Sequence, residues 1–254
     1  MLGEVVNRIR VAGIQVYRRP TIVIDVVRKL SLKALYLPDS KRILLDAALP
    51  EKKHRWNETH EIVHSLLPWH IDTMLGDNVA TLSQDCHDQV ESEANFGAGR
   101  LLFLQDRFRE EARSLTPCID AVKVLGTKFG NTISTTLHRF VELAGTDRPM
   151  VGMISDHPHV SRRRPNWNPL APCRYFIQSP SFATKFSKIT EVAMFRQVSA
   201  YCGGQSGGSL GEAEIMLADD LGDHHIFHFE TFFNRYDALS LGMYLRPTPR
   251  QHFT

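Results

Sequence analysis

Two histidines four positions apart, with a glutamate beside the first, give this sequence its clearest chemistry: His60, Glu61 and His64 of the segment HEIVH. Residues four apart share one face of a helix, so both imidazoles can bind one metal ion. Zinc suits such a pair and lowers the pKa of a bound water towards about 7. Glu61 would accept the proton of this water as a general base. The segment therefore predicts one Zn²⁺ per chain and a hydrolytic reaction at a carbonyl carbon.

The same pattern can arise by chance, because the chain has 12 histidines. The alternative is a charged helix that carries surface histidines. The residues around the pattern argue against it, since they are strongly apolar: Ile62, Val63, Leu66 and Leu67. A helix of this kind is expected to be buried, and buried histidine and glutamate side chains need partners. The metal site is therefore the favoured interpretation.

A third protein ligand is expected, because catalytic zinc normally has three protein ligands and one open position. The acidic stretch after His87 offers Glu91 and Glu93. These two lie about 160° apart around a helix, so they cannot both face the ion. Glu91 is preferred, since Asn95 follows it by four residues on the same face and can hydrogen-bond a ligand from behind.

The elements that must hold these residues are two helices. Nothing breaks a helix from Glu51 to Leu67, and Pro68 ends it, which places HEIVH on a helix. A second long helix is predicted over about 87–103. The stretch 69–85 between them is expected to be a loop with a short helix.

Shorter elements are predicted on either side of this pair. A helix that runs into a short strand is indicated over 5–16, and Pro20 opens another helix. The apolar runs 34–37 and 43–45 flank turn-forming residues and predict a β-hairpin. A third helix is expected over about 108–113.

The second half of the chain changes in character. Residues 119–144 have the periodicity of two short helices around Gly130, a helix-turn-helix-like segment that is only a weak signal for DNA binding. After a long loop over 156–172, strand-like runs recur; they are 174–178, 190–201, 214–217 and 226–229. The prediction is an α+β fold with two domains, 1–148 and 149–254.

Composition narrows the class of protein. The formal net charge is +2, which argues against bulk nucleic-acid binding but allows a local basic patch. No signal peptide is visible, and no run of about 18 apolar residues predicts a membrane helix. The four cysteines are widely spaced, which suits a reducing, cytoplasmic location better than a disulfide framework.

The two helices together resemble the ImmA/IrrE family of metallopeptidases, whose pattern is HExxH and then ExxAN-x-F-A-x-x-LL. Here HEIVH is followed, from Glu91, by ESEANFGAGRLLF. The sequence departs at Gly97, where Phe is usual, and at Leu104, where Pro is frequent. The resemblance covers about residues 20–145. It implies a zincin-like peptidase domain with Glu91 as the third zinc ligand.

The same resemblance implies a substrate and a layout. Family members typically cleave a helix-turn-helix repressor and so induce phage, mobile-element or DNA-damage genes, which implies a repressor encoded nearby as substrate. Longer members carry a GAF-like sensor domain where this chain has its β-rich part, 149–254. The CapP type, associated with anti-phage defence operons, shares this layout and is the subgroup that the chain is most similar to.

Cys86 bears on control of the site. It lies five residues before Glu91, and a thiolate could fill the open zinc position and keep the enzyme latent. Inhibitory cysteine ligation also resembles what the CapP type is thought to use. The alternatives are that Cys86 is a small buried residue, or that His87 from the same turn is the ligand.

A basic cluster bears on activation. Arg162, Arg163 and Arg164, with Trp167 nearby, could bind phosphates and stack a base of single-stranded DNA as the activator, or could form a solvated loop. Two other functions also stay open: a DNA- or ligand-responsive regulator with a structural metal, and a toxin-like peptidase restrained by an antitoxin. Hydrolysis needs Glu61 and a structural metal does not, so this residue separates the peptidase from the regulator.

Overall fold

The computed structural model describes residues 34–37, 42–45, 50–70, 84–104 and 106–248. The helices predicted over 5–16 and after Pro20, and most of the predicted loop 69–85, lie outside these residues. The chain divides into two compact units, 1–105 and 106–254. No helix in the described ranges has the length and apolar character needed to cross a membrane.

The first unit contains the predicted hairpin and the two predicted helices. Strands β1 (Ala34–Leu37) and β2 (Arg42–Leu45) pair antiparallel. Helix α1 spans Glu51–Leu66 and helix α2 spans Gln84–Leu102. Helix α1 ends where it does because Pro68 disfavours a helical residue before it, and Leu67 is extended at φ −101 and ψ 107.

Helices α1 and α2 pack closely through small residues. Val63 of α1 lies in a buried cluster with Ala94 and Ala98 of α2, and Leu67 packs against it. At Gly97 a Cβ atom would lie 2.7 Å from Cγ1 of Val63, so the glycine allows this approach. Gly97, where the sequence departs from the family pattern, therefore lies at the point where the two helices cross.

The second unit is a five-stranded antiparallel sheet with helices, in the order β4-β3-β7-β6-β5. Its strands are β3 (Met150–Ser155), β4 (Cys173–Gln178), β5 (Gly208–Ala218), β6 (His224–Phe233) and β7 (Ala238–Pro247). Its helices are α3 (Asp106–Ser114), α4 (Ile119–Lys128), α5 (Ile133–Ala144), α6 (Pro180–Lys185) and α7 (Glu191–Tyr201).

Helices cover both faces of this sheet. Val151 of β3 lies in a buried cluster with residues of α6 and α7, among them Phe182 and Val198. Successive residues of a strand point to opposite faces. Gly152 accordingly faces α5, where an added Cβ would lie 3.0 Å from Cγ2 of Val141. The compact units of the structure meet at 105/106, and α4 and α5 belong to the same unit as the sheet on which α5 packs. The domain boundary at 148/149 stays a prediction.

The helix-turn-helix-like segment consists of α4 and α5, as the periodicity predicted. Gly130 at φ 68 lets the chain turn after α4. Thr132 begins α5 by accepting a hydrogen bond from the backbone N–H of Thr135. Every residue of α5 is buried or half-buried. A recognition helix needs an exposed face for the DNA groove, so the segment is built for packing.

Three of the four strand predictions in the second unit are confirmed, over 174–178, 214–217 and 226–229. The prediction of a strand over 190–201 is wrong, because this run forms α7. Thr190 caps the helix by accepting the N–H of Ala193, and Met194 and Val198 bury one helical face. The long loop over 156–172 is irregular apart from a single 3₁₀ turn at Val160–Arg162.

Candidate metal centre

Three donor side chains from α1 and α2 come together in the first unit: His60, His64 and Glu91. Their ligand atoms all lie within 4.8 Å of one another. The two histidine Nε2 atoms are 3.0 Å apart. Glu91 places Oε2 at 3.2 Å from Nε2 of His60 and Oε1 at 3.7 Å from Nε2 of His64.

This spacing fits a tetrahedral ion. Zinc binds nitrogen and oxygen at about 2.0–2.1 Å, which requires ligand atoms roughly 3.3 Å apart. The observed separations of 3.0, 3.2 and 3.7 Å bracket that value. Two imidazoles and one carboxylate are also a donor set that catalytic zinc uses. The residues present therefore fit the metal that the sequence predicts.

The electrostatics of the three donors favour a cation. Burial acts to lower the pKa of His60, but the hydrogen bond and the charge of Glu91 outweigh it, so this pKa is raised. The hydrogen bond to His60 lowers the pKa of Glu91 against the effect of burial. Burial, followed by the charge of His60, lowers the pKa of His64 to about 4. His64 is thus neutral near pH 7, the form in which histidine binds metals.

Glu61 and Asn95 lie next to the cluster. Glu61 is buried at 9% exposure, and its charge contributes to the raised pKa of His60 after the larger effects of burial and Glu91. Asn95 hydrogen-bonds His60 and adds to the same shift. Both side chains therefore act on His60, Glu61 through its charge and Asn95 through a hydrogen bond; their roles as general base and supporting amide stay predictions.

Two residues that sequence analysis did not assign complete the centre. Nδ1 of His64 lies 2.9 Å from Nδ1 of the fully buried His70. Nε2 of His70 lies 3.0 Å from Oε2 of Glu93. Glu93, set aside as a metal ligand, therefore faces His70 instead. The only sequence signal for this contact is Pro68, which ends α1 and turns the chain back.

Cys86 and His87 occupy the first turns of α2. Cys86 is half-buried and, among the residues that the structure describes, it is not part of the His60–His64–Glu91 cluster. His87 precedes Glu91 by one turn, and its charge contributes, after larger effects, to the lowered pKa values of His64 and Glu91. His87 therefore takes part in the electrostatics of the centre, although the sequence predicted it only as an alternative ligand to Cys86.

The three arginines 162–164 make contacts within the second unit. Arg162 donates from Nε to the carbonyl of Gly204 at 3.0 Å. Arg163 donates to the carbonyl of Pro158 and lies 4.1 Å over the ring of Trp167. Arg164 pairs with Asp156 at 3.3 Å. These contacts hold the loop 156–172 to its surroundings, so they supply a structural reason for the basic cluster.

A second group of donors lies on the sheet, formed by Glu212, His228 and Glu230. His228 Nε2 is 3.6 Å from Glu212 and 3.5 Å from Glu230. Glu212 is 71% exposed, and Glu230 already accepts the N–H of Ile119 at the start of α4. Compared with the His60–His64–Glu91 cluster, this group is more open and one of its carboxylates has another role.

Comparison with known proteins gives one family match. The IrrE N-terminal-like domain of peptidase family M78 matches residues 10–141, just over half of the chain. The matched region contains α1, α2 and every residue of the His60–His64–Glu91 cluster. No curated protein matches the chain.

A solved structure described as a Mycobacterium tuberculosis transcriptional regulator is similar over 84% of this chain, with 14% sequence identity and a TM-score of 0.49. The similar region covers 62% of that protein, so this chain spans less than two thirds of its length.

Proposed function

The chain belongs to the IrrE N-terminal-like family of peptidases, and from this premise we propose that it is a zinc-dependent endopeptidase that cleaves a helix-turn-helix transcriptional repressor. The observation that carries the proposal is the cluster of His60, His64 and Glu91, with Glu61 buried beside it. A regulator with a structural metal would need the three ligands but would have no use for a buried carboxylate next to them.

The residues divide the work of hydrolysis. His60, His64 and Glu91 would hold Zn²⁺, which supplies Lewis-acid polarisation of the scissile carbonyl and of the attacking water. A carboxylate oxygen of Glu61 accepts the proton of that water and returns it to the nitrogen of the leaving amine. Asn95 hydrogen-bonds His60 and keeps its ring oriented towards the centre.

The decisive variant is Glu61→Gln. It keeps the size of the side chain and removes the proton acceptor, so cleavage of the repressor encoded beside this chain should fall by about 10²–10⁴-fold. Glu58→Gln is the matched control, since Glu58 is exposed on the same helix. Zinc content, measured by mass spectrometry, should be equal in all three proteins.

The cleavage products decide the class of peptidase. Two fragments whose masses add up to the repressor plus one water identify an internal cut. If Glu61→Gln cuts as fast as wild type, the proteolytic mechanism is wrong and the chain is better described as a regulator with a structural metal.

We also propose that the peptidase is regulated as the sequence predicted: Cys86 keeps it latent, and the second unit activates it. The antiparallel sheet with helices on it supports the GAF-like prediction for that unit. Cys86 lies in the first turn of α2, about 140° around the helix from Glu91. A cysteine-ligated state therefore requires this turn to unwind.

Single-stranded DNA as the activator stays a prediction, and the internal contacts of Arg162 and Arg164 do not favour it.

A further inference from the structure

We propose that His70 and Glu93 act as a positioning chain that fixes the ring and the tautomer of His64, so that its Nε2 presents a lone pair to the metal. The inference rests on the proposed function for the identity of the metal centre. It goes beyond that function because His70 lies outside both patterns and Glu93 occupies a position of ExxAN at which the pattern specifies no residue.

The direction of each hydrogen bond follows from the chemistry of the carboxylate. Ionised Glu93 can only accept, so Nε2 of His70, at 3.0 Å, must donate to it. An imidazole that carries its proton on Nε2 has a lone pair on Nδ1. Nδ1 of His70 accepts the N–H of Nδ1 of His64, 2.9 Å away. The remaining nitrogen of His64, Nε2, is left without a proton and points at His60 and Glu91.

Glu93, the end of the positioning chain that is farthest from the metal site, is held in place by other side chains. Glu93 accepts hydrogen bonds from Nε1 of Trp69 at 2.8 Å and from Nε2 of Gln89 at 2.9 Å. With His70 it thus receives three donors, and its carboxylate is held in one orientation. A carboxylate bound in this way keeps the direction of the His70 bond fixed.

The two histidines of the positioning chain are held in place by burial. His70 is 0% exposed and His64 is 3% exposed, so water does not compete for their ring nitrogens. The two rings meet at a centroid distance of 5.0 Å. On a straight helix His70 would lie about 120° around the axis from His64, on another face. The break at Leu67 and Pro68 brings it back, and the N–H of His70 bonds to the carbonyl of Leu67 at 3.0 Å.

The arrangement also assigns different work to the two carboxylates of α2. Glu91 faces the two metal-helix histidines, whereas Glu93 faces the turn after α1. Metal-bound histidines generally donate their second ring nitrogen to a carboxylate or carbonyl, and loss of that partner typically weakens metal binding by about 10–100-fold. Here a second histidine is placed between the ligand and the carboxylate.

Two substitutions of His70 separate positioning from packing. His70→Phe fills the space but offers no acceptor, so zinc binding by the metal-free full chain should weaken by about 10–100-fold. His70→Asn is smaller, but its Oδ1 stands close to the position of Nδ1 and can accept from His64. Its affinity should stay within a few fold of wild type. A purely structural role predicts the opposite order, because phenylalanine preserves the buried volume better.

Zinc affinity is measured by competition with a chromogenic chelator, and His54→Phe serves as the control because His54 lies on α1 outside the cluster. Equal affinity of His70→Phe and wild type, or equally weak binding by His70→Asn and His70→Phe, overturns the inference. In either case wild type still binds zinc, so the proposed function stands.

A second readout does not depend on the variants folding. Nitrogen NMR of the metal-free wild-type chain reports which ring nitrogen of His64 carries the proton. The positioning chain requires Nδ1–H; a proton on Nε2 overturns it. If wild type binds no zinc while His64 is in the Nδ1–H form, the proposed function fails and the positioning of His64 remains.

Discussion

Replacing Gly97 with alanine should force α1 and α2 apart at the point where they carry the metal ligands. The added Cβ would lie 2.7 Å from Cγ1 and 2.9 Å from Cγ2 of Val63. Carbon atoms pack best at about 3.5–4.0 Å, so the gap must open by roughly 1 Å. Val63 is 5% exposed and directly precedes His64, so it has little room to move without moving the ligand.

Two opposing effects set the change in stability. Overpacking of a core costs about 1–3 kcal/mol. Alanine in place of glycine inside a helix gains about 1 kcal/mol. The free energy of unfolding of the metal-free chain should therefore fall by only about 0–2 kcal/mol. Zinc binding should suffer more, because a metal site tolerates only about 0.2 Å in its ligand distances, and we expect an affinity loss of about tenfold or more.

The assay is zinc competition together with urea unfolding of the metal-free chain. Val63→Ala in the Gly97→Ala background removes both clashing carbons and leaves the Cβ of Val63 at 3.4 Å. The double variant should recover zinc affinity although it loses buried surface, and that recovery is a coupling between the two sites. A Gly97→Ala protein that binds zinc like wild type and is about 1 kcal/mol more stable refutes the reasoning, since propensity alone would then account for it.

The remaining predictions concern thiols. If latency through Cys86 is real, Cys86→Ser should cleave the repressor without an inducer, and activity as low as that of wild type would end that idea. Burial, aided by the charge of Glu191, raises the pKa of Cys173 to about 12, and burial raises the pKa of Cys202 to about 11. Both should resist iodoacetamide at pH 9 until the chain unfolds. Because unfolded thiols have a pKa of about 8.5, the stabilisation from burying these two thiols is complete below that pH and is lost as the pH rises towards their pKa values in the folded protein. Labelling of either thiol in the folded protein at pH 9 would contradict this.

The metal cluster was accessible from sequence because it depends on local periodicity. His60 and His64 share a helical face whatever the rest of the fold does. The wheel angle predicted that Glu91 and Glu93 face different ways, and in the structure they contact different histidines. It could not name the partner of Glu93, because that partner depends on the direction the chain takes after Pro68. The sequence states that α1 stops there; only tertiary packing decides where His70 goes.

The wrong strand prediction in the second unit has a similar origin. The run 190–201 is apolar and rich in β-branched residues, and such a run suits a strand or a buried helix equally. Thr190 decides the outcome by capping a helix. The domain boundary was placed at a change in composition near 149. Packing of α5 on the sheet, with Val141 against Gly152, moves α4 and α5 to the other side of the division.

The start of α2 ties these observations to control of the site. The helix begins at Gln84 and not near His87, so Cys86 is helical and its direction is fixed by α2. In that register His87 lies about 40° from Glu91, whereas Cys86 lies about 140° away. A thiolate can reach the ion only if the first turn of α2 unwinds, and this would release His87 from the face of Glu91 as well. If the proposed latency through Cys86 holds, the latent and active states would therefore differ at this helix end, and a signal that stabilises the first turn of α2 would favour activity.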